Sequence, residues 1–427
     1  MELPRRGKPS TVSPLISSRD DRNSVCCGPI RFFCTGFFAH DIASVSTSPD
    51  IIREIHAAAA RLVIAVTGGG SAAISRLLEV PGASSTVLDA VVPYSAAAFD
   101  DWLGQQPESY CSRETALAMA TVAWWRARDL TRRGGADVEN CLGIACSASL
   151  ASDRPKKGEH RCWIAIETAT HSRIVNLTLR KGQRDRQAEE QLVADLILRS
   201  IAECCGVQDP ALLDLRDDET VLVDVERLPV DVANVRTGVE SLIWSLPDGE
   251  LSDEPPGAPT GLLCGAFNPL HAGHQGMRTA AEDILQGPVY FEMSVVNADK
   301  PPLDSFAIEE RRRQFFDTPV ALTSAPRFVD KAHLFPGITF VVGYDTAERI
   351  IDPRFYGGTE AAMRQSLEAI GSLGCRFLVA GRTTDNSFHP LADLPLPPGL
   401  EDLFTEIPES RFRQDISSTE LRSSTNP

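Results

Sequence analysis

The chain has 427 residues, 43% of them hydrophobic and 23% charged, with a formal net charge of −16. That length predicts two or three domains with full hydrophobic cores. The acidic balance excludes a general nucleic-acid binder, although an acidic surface can still hold a local basic pocket. The cysteines number eleven and show no C-x-x-C pair, so they read as reduced, buried thiols of a cytoplasmic protein. His160 and Cys162 lack partners at metal-ligand spacing. No apolar run approaches the ~20 residues of a membrane span.

Residues 1–49 are rich in Ser, Pro and Arg and are expected to be a disordered extension. The aromatic run within 30–38 is too short and too interrupted for a signal-peptide core. From 50 to 207, helical and strand patterns alternate. Residues 51–62 read as a helix, 62–66 as a buried strand and 71–78 as a helix after three glycines. Residues 91–94 read as a short strand and 113–130 as a long helix. Residues 141–145, 162–167 and 172–179 read as strands, and 186–204 as a closing amphipathic helix. This alternation predicts a layered α/β domain.

Several short strings in that stretch go together: Leu78-Glu79-Val80-Pro81-Gly82-Ala83-Ser84, Val91-Val92-Pro93-Tyr94-Ser95, Gly143-Ile144-Ala145 and Trp163-Ile164-Ala165. In order and kind they resemble the carboxy-terminal domain of the CinA (competence-damage) family. Active members of that family hydrolyse the amide of nicotinamide mononucleotide. The family's E-S-C-T-G-G turn, whose serine is the nucleophile, corresponds here to Ile64-Ala65-Val66-Thr67-Gly68-Gly69. Ala65 has no hydroxyl and cannot attack a carbonyl carbon. The family's lysine after the Tyr-Ser pair corresponds to Phe99, and its G-I-A-G-P loop reads Gly143-Ile144-Ala145-Cys146-Ser147. The resemblance implies the shell of an amidase without its chemistry, kept as a structural, ligand-sensing or oligomerising domain. Ser71 and Ser95 read either as substitute nucleophiles or as ordinary cap or turn serines, the latter being the commoner role.

Residues 208–258 read as a connector, with a strand-like alternation at 221–225, a short helix or strand at 239–246, and an acidic Pro/Gly-rich boundary before 259. The alternation then resumes. Strands are expected at 261–265, 289–296, 338–343, 376–380 and 403–407, with helices at 273–285, 308–316 and 359–373. Strands separated by helices imply a parallel sheet with right-handed crossovers, and ligands of such sheets lie beyond the carboxyl ends of the strands. Asn268, His271, Asp345 and Arg382 fall on that rim.

Within it, Gly265-Ala266-Phe267-Asn268-Pro269-Leu270-His271-Ala272-Gly273-His274 follows a strand and opens a helix. A tight Gly/Pro turn, then two histidines three apart at a helix start, make a phosphate site. Free backbone N–H groups and the helix dipole attract an anion, and imidazoles add donors. The string resembles the HxGH signature of the nucleotidylyltransferase superfamily. That superfamily includes the nicotinate/nicotinamide mononucleotide adenylyltransferases and the small cytidylyltransferases. Ile416-Ser417-Ser418-Thr419-Glu420-Leu421-Arg422 resembles its second signature, ISSTxxR. A serine-capped helix start there would free amides for a phosphate, and Arg422 would fork onto its oxygens.

The fold expected is α/β, with two layered α/β domains, the second (259–427) a Rossmann-like parallel sheet of the nucleotidylyltransferase type. The resemblance implies His271, His274 and Arg422 as the catalytic set. It implies nucleotide contacts from Gly265, Phe267, Asn268, Gly273, Lys300, Gly343, Asp345, Arg382, Ser417, Ser418 and Thr419. Lys300 reads equally as a phosphate ligand or a solvated loop lysine. Arg311 and Arg313 resemble the family's E-x-R stretch or form a solvated helix face. Asp345 would accept from a hydroxyl, cap a helix, or do both. Mg²⁺ is the implied cofactor, carried by the oxygens of a nucleoside triphosphate rather than by a protein cage.

Together the two resemblances imply pyridine nucleotide metabolism, with AMP passed from ATP to nicotinate or nicotinamide mononucleotide. Cytidylyl transfer, or adenylylation of another phosphorylated acceptor such as phosphopantetheine, uses the same motifs. A catalytically silent nucleotide-binding regulator is the third reading. Small-molecule nucleotides are the expected partners, with no nucleic acid and no membrane, and a homo-oligomer stays open.

Overall fold

The Ser48 hydroxyl accepts the Ile51 amide at 3.4 Å and Pro49 takes the first helical position, which together start α1 (Pro49–Ala57). The computed structural model describes residues 48–153, 157–208, 212–296, 303–384 and 387–413. After α1 come β1 (Arg61–Thr67), α2 (Ala72–Glu79), α3 (Ala83–Thr86), β2 (Val87–Val91), α4 (Ala96–Leu103) and α5 (Arg113–Arg133). Then follow β3 (Cys141–Ser149), β4 (His160–Glu167), β5 (His171–Leu179), α6 (Arg186–Cys204) and β6 (Thr220–Arg227). These strands form a six-stranded sheet in the order β2-β1-β3-β4-β5-β6. β1 runs parallel to β2 and β3, and the rest is an antiparallel meander.

Both faces of this sheet are covered, so β1 is buried through its interior rather than on alternate residues. Leu62, Ile64 and Val66 face α1, α2 and α6, while Val63 and Ala65 face α4 and α5. A Cβ at Gly143 would fall 2.1 Å from the Ala120 carbonyl oxygen. Glycine is what lets α5 lie so close over β3. α1 stops before residue 62 because Ala59 turns the chain with φ +56° and β1 starts at Arg61. The strand expected at 91–94 instead ends at Val91; Pro93, two residues on, has no N–H for a ladder.

The second half begins with α7 (Val230–Thr237), β7 (Leu242–Ser245), β8 (Leu251–Ser252), β9 (Gly261–Cys264), α8 (Ala272–Leu285) and β10 (Val289–Ser294). It continues through α9 (Ser305–Arg312), β11 (Val320–Thr323), α10 (Phe328–Leu334), β12 (Thr339–Gly343) and α11 (Tyr344–Ile350). It closes with α12 (Glu360–Ser372), β13 (Arg376–Ala380), the hairpin β14 (Arg382–Thr384) with β15 (Ser387–His389), and β16 (Phe404–Ile407). The large sheet has the order β16-β13-β12-β9-β10-β11-β7-β8. From β16 to β11 it is parallel; β7 and β8 add antiparallel strands at one edge. Residues of α7, α8 and α9 pack on one face, and residues of α10, α11 and α12 on the other. The molecule is thus two layered α/β domains, the second doubly wound.

Residues 208–258 are more than a connector. They give β6 to the first sheet, β7 and β8 to the second, and α7 between the two. β11 and α10 were not expected from the sequence, because Val320–Thr323 is four residues long and shows no alternation. Among the described residues, no helix is long and apolar enough to cross a membrane.

Candidate active site

Counted from β9, the parallel strands lie in the order 3-2-1-4-5-6. The chain leaves β9 towards β10 and β11, then returns to β12 on the other side. The crevice between β9 and β12, at their carboxyl ends, is the topological switch point where doubly wound sheets bind ligands. β9 delivers the Gly265–His274 loop there, and β12 delivers Gly343 and Asp345.

The loop is built around an inward-turned ring. Phe267 has φ +46°, unusual for a bulky residue, and its side chain is 1% exposed. The ring stands edge-on to Phe291, Phe315 and the His274 imidazole, with centroids 5.2, 5.2 and 5.1 Å away. A Cβ at Gly265 would lie 2.8 Å from two carbons of the same ring. The buried Phe267 ring therefore requires a residue without a side chain at position 265. Asn268 is exposed and joined to Pro269 by a cis peptide. Gln314, just beyond α9, holds the loop in place. Its Nε2 donates to the Phe267 carbonyl at 3.1 Å, and its Oε1 accepts the Leu270 N–H at 2.7 Å.

His271 is the N-cap of α8. Its Nδ1 accepts the Gly273 N–H at 3.1 Å, and the Nδ1 of His274 accepts the His271 N–H at 3.3 Å. A neutral imidazole that accepts at Nδ1 carries its hydrogen on Nε2. Both rings are fixed in that tautomer, stacked with centroids 3.8 Å apart. Neither Nε2 has a hydrogen-bond partner among the described residues. Burial lowers the pKa of His271, and burial followed by the neighbouring His271 lowers that of His274 to about 4. At neutral pH the helix start therefore presents two uncharged imidazole N–H donors, while the Gly273, His274 and Gln275 amides are taken up by His271. This is a donor array suited to phosphate oxygens.

Across the switch point, Asp345 in the first turn of α11 forms an ion pair with Arg382 at the start of β14. Both side chains are about half exposed. Gly343 precedes α11 with φ −80° and nothing nearer than 3.9 Å to an added Cβ, so no backbone constraint demands glycine there. His271, His274, Gly265, Phe267, Asn268 and Gly273 are gathered on one loop and helix start, and Gly343, Asp345 and Arg382 lie on the same rim. Lys300, Ser417, Ser418, Thr419 and Arg422 lie outside the described residues.

Arg313 is engaged elsewhere. It bridges to Glu226 of β6 at 2.8 and 3.0 Å and to Glu309 at 3.2 Å. Sequence reasoning also passed over a buried group near the carboxyl end of β9. Glu292, which pairs in register with Cys264, accepts from Thr323 Oγ1 at 2.6 Å and pairs with Lys331 at 2.5 Å. Lys331 stays charged because Glu292 offsets the burial that opposes it. In the first domain, Ala65 sits in mid-β1 at 0% exposure, and Phe99 fills the core beside it.

No family model and no curated protein matches the chain. Among solved structures, it is similar to the competence/damage inducible protein CihA from Agrobacterium tumefaciens, at 20% identity over 40% of this chain and 99% of that one, with a TM-score of 0.30. A competence-damaged protein (CinA) superfamily protein from Enterobacter cloacae is similar at 19% identity over 41% of this chain and 98% of that one, with a TM-score of 0.29. A competence or damage-inducible protein from Enterobacter asburiae is similar at 17% identity over 37% of this chain and 96% of that one, with a TM-score of 0.29.

Proposed function

We propose that the second domain is a nucleotidylyltransferase that passes AMP from ATP to nicotinate or nicotinamide mononucleotide. The observation that carries the reading is the stacked pair of neutral imidazoles at the start of α8, with both Nδ1 atoms used by backbone amides and both Nε2–H groups without a partner among the described residues. A phosphate oxygen of the acceptor attacks the α-phosphorus of the triphosphate. The new P–O bond forms as the bond to the β-phosphate oxygen breaks, and pyrophosphate leaves. No proton need move to or from the protein. Catalysis is the alignment of two anions and the stabilisation of charge on the α-phosphate. His271 holds the phosphates and His274 meets the developing charge. Asp345 accepts a ribose or acceptor hydroxyl once Arg382 swings from it to a phosphate. The triphosphate oxygens, rather than protein side chains, would hold Mg²⁺, which would supply partial charge neutralisation. The choice of acceptor rests on the resemblance of residues 50–207 to nicotinamide-nucleotide amidases.

The test is pyrophosphate release from the purified protein with each nucleoside triphosphate, Mg²⁺ and a panel of phosphorylated acceptors. Release with ATP and a nicotinate or nicotinamide mononucleotide is expected. Release with CTP alone would replace the reading by cytidylyl transfer, and full activity in His274→Ala would remove the site.

A further inference from the structure

Helix α9 belongs to the second sheet by connectivity, yet both its ends are held by the first domain. At its start, Ser305 is fully buried; its N–H donates to Ser172 Oγ at 2.8 Å, and its hydroxyl donates to Glu167 Oε1 at 3.4 Å. Ser172 also donates to Glu167 at 2.5 Å, and Arg236 of α7 closes the group with an ion pair to Glu167 at 2.6 Å. Burial pushes the Glu167 carboxyl up to about 7 against the pull of Arg236. Phe306 lies under the Arg113 guanidinium of α5, 4.2 Å from ring centre to carbon. At the far end, Arg313 is forked onto Glu226 of β6. The next residue is Gln314, which bonds both ends of the 267–270 segment, one residue before His271.

Resting on the reading above, we infer that Gln314 is a positioning residue for His271 and His274, and that the first domain sets its position through α9. The sequence of contacts is short: Glu226 and the Glu167 group fix α9, α9 fixes Gln314, and Gln314 fixes the loop that aims both imidazoles. Gln314 makes its hydrogen bonds to backbone atoms of that loop and to the Arg311 carbonyl. Its effect on the reaction therefore runs wholly through geometry. A first domain without an amidase nucleophile then has a physical task, as the base against which the transfer site is held. Coupling of this kind needs a measured energy, not proximity alone.

The full-length protein is compared with Gln314→Met, Glu226→Gln and the double variant. Two readouts are used: steady-state pyrophosphate release, and hydrogen exchange of segment 267–274 followed by mass spectrometry. Gln314→Met is expected to lower kcat by ~10–100-fold, because misaligning a donor array by about 1 Å costs that much, while KM for ATP moves less. Glu226→Gln is expected to lower kcat by ~3-fold alone, and to have almost no effect in the Gln314→Met background, the signature of a shared route. Exchange of the 267–274 amides should quicken by ~10-fold or more in both single variants. Equal effects of Glu226→Gln in both backgrounds, or unchanged exchange in both single variants, would overturn the inference. Should Gln314→Met fail to fold, unchanged exchange in Glu226→Gln alone overturns it. Absence of pyrophosphate release from the parent protein would sink the proposed function, and the exchange readout would still decide the coupling.

Discussion

Asparagine at position 274 separates the two tasks of that imidazole. Its side-chain oxygen can accept the His271 N–H where Nδ1 now does, but nothing replaces Nε2–H or the titrating ring. In the folded protein His274 titrates at about 4, against an ordinary 6.5, because burial and the adjacent His271 oppose its charge. As pH falls, the unfolded chain takes up this proton first, so stability is complete above 6.5 and drains away towards 4. Between about pH 7 and about pH 5, that linkage removes roughly 2 kcal/mol. His171, also held to about 4 by burial and by Arg227 and Arg173, acts in the same window but equally in both proteins. At neutral pH the substitution forfeits ring contacts with Phe267 and His271, about 1 kcal/mol. Urea unfolding of parent and His274→Asn at the two pH values measures the difference. The parent should lose about 2 kcal/mol more than the variant on acidification, so that the curves meet or cross near the lower pH. Parallel curves would mean that His274 titrates normally and that the neutral-donor account of the site is wrong. The same variant should be inactive in pyrophosphate release although folded.

Lys331→Met leaves Glu292 buried without its cation and should cost about 3–5 kcal/mol in urea unfolding. Adding Glu292→Gln should recover most of it, and an additive double variant would contradict the pairing. Ammonia release from nicotinamide mononucleotide is expected to be absent, and Ala65→Ser should not restore it, since the position is enclosed between β1 and the α4–α5 core. Turnover in either protein would show that another nucleophile acts in the first domain.

What the sequence disclosed and what it hid follow from how each residue works. The place of the His271–His274 motif, on a loop between a strand and a helix start, is legible because its side-chain types stand at fixed spacing and the strand before it and helix after it carry a pattern. Gln314 was not, because it acts on the backbone of Phe267 and Leu270, and a lone glutamine after a basic run leaves no pattern. The connector was read by its composition. The alternation in Val221–Val225 revealed a strand but not which sheet would take it, since pairing partners are set by packing rather than by local propensity. Arg313 reads in the sequence as part of a family-like E-x-R stretch or of a solvated helix face, because its partner Glu226 lies in another domain. Lys300 and the Ser417–Arg422 segment, half of the expected grip on the triphosphate, fall outside the described residues.

The two short strands β7 and β8 have a practical corollary. They cap β11, which would otherwise end the parallel sheet with an unpaired row of amides and carbonyls. A gene fragment beginning at residue 259, the boundary that composition suggests, would express the second domain with that row bare and α7 missing from its hydrophobic face. Such a fragment is set to stick to itself. A usable excision would have to start upstream of α7, and would carry away Arg236, the cation that the other half keeps beside Glu167.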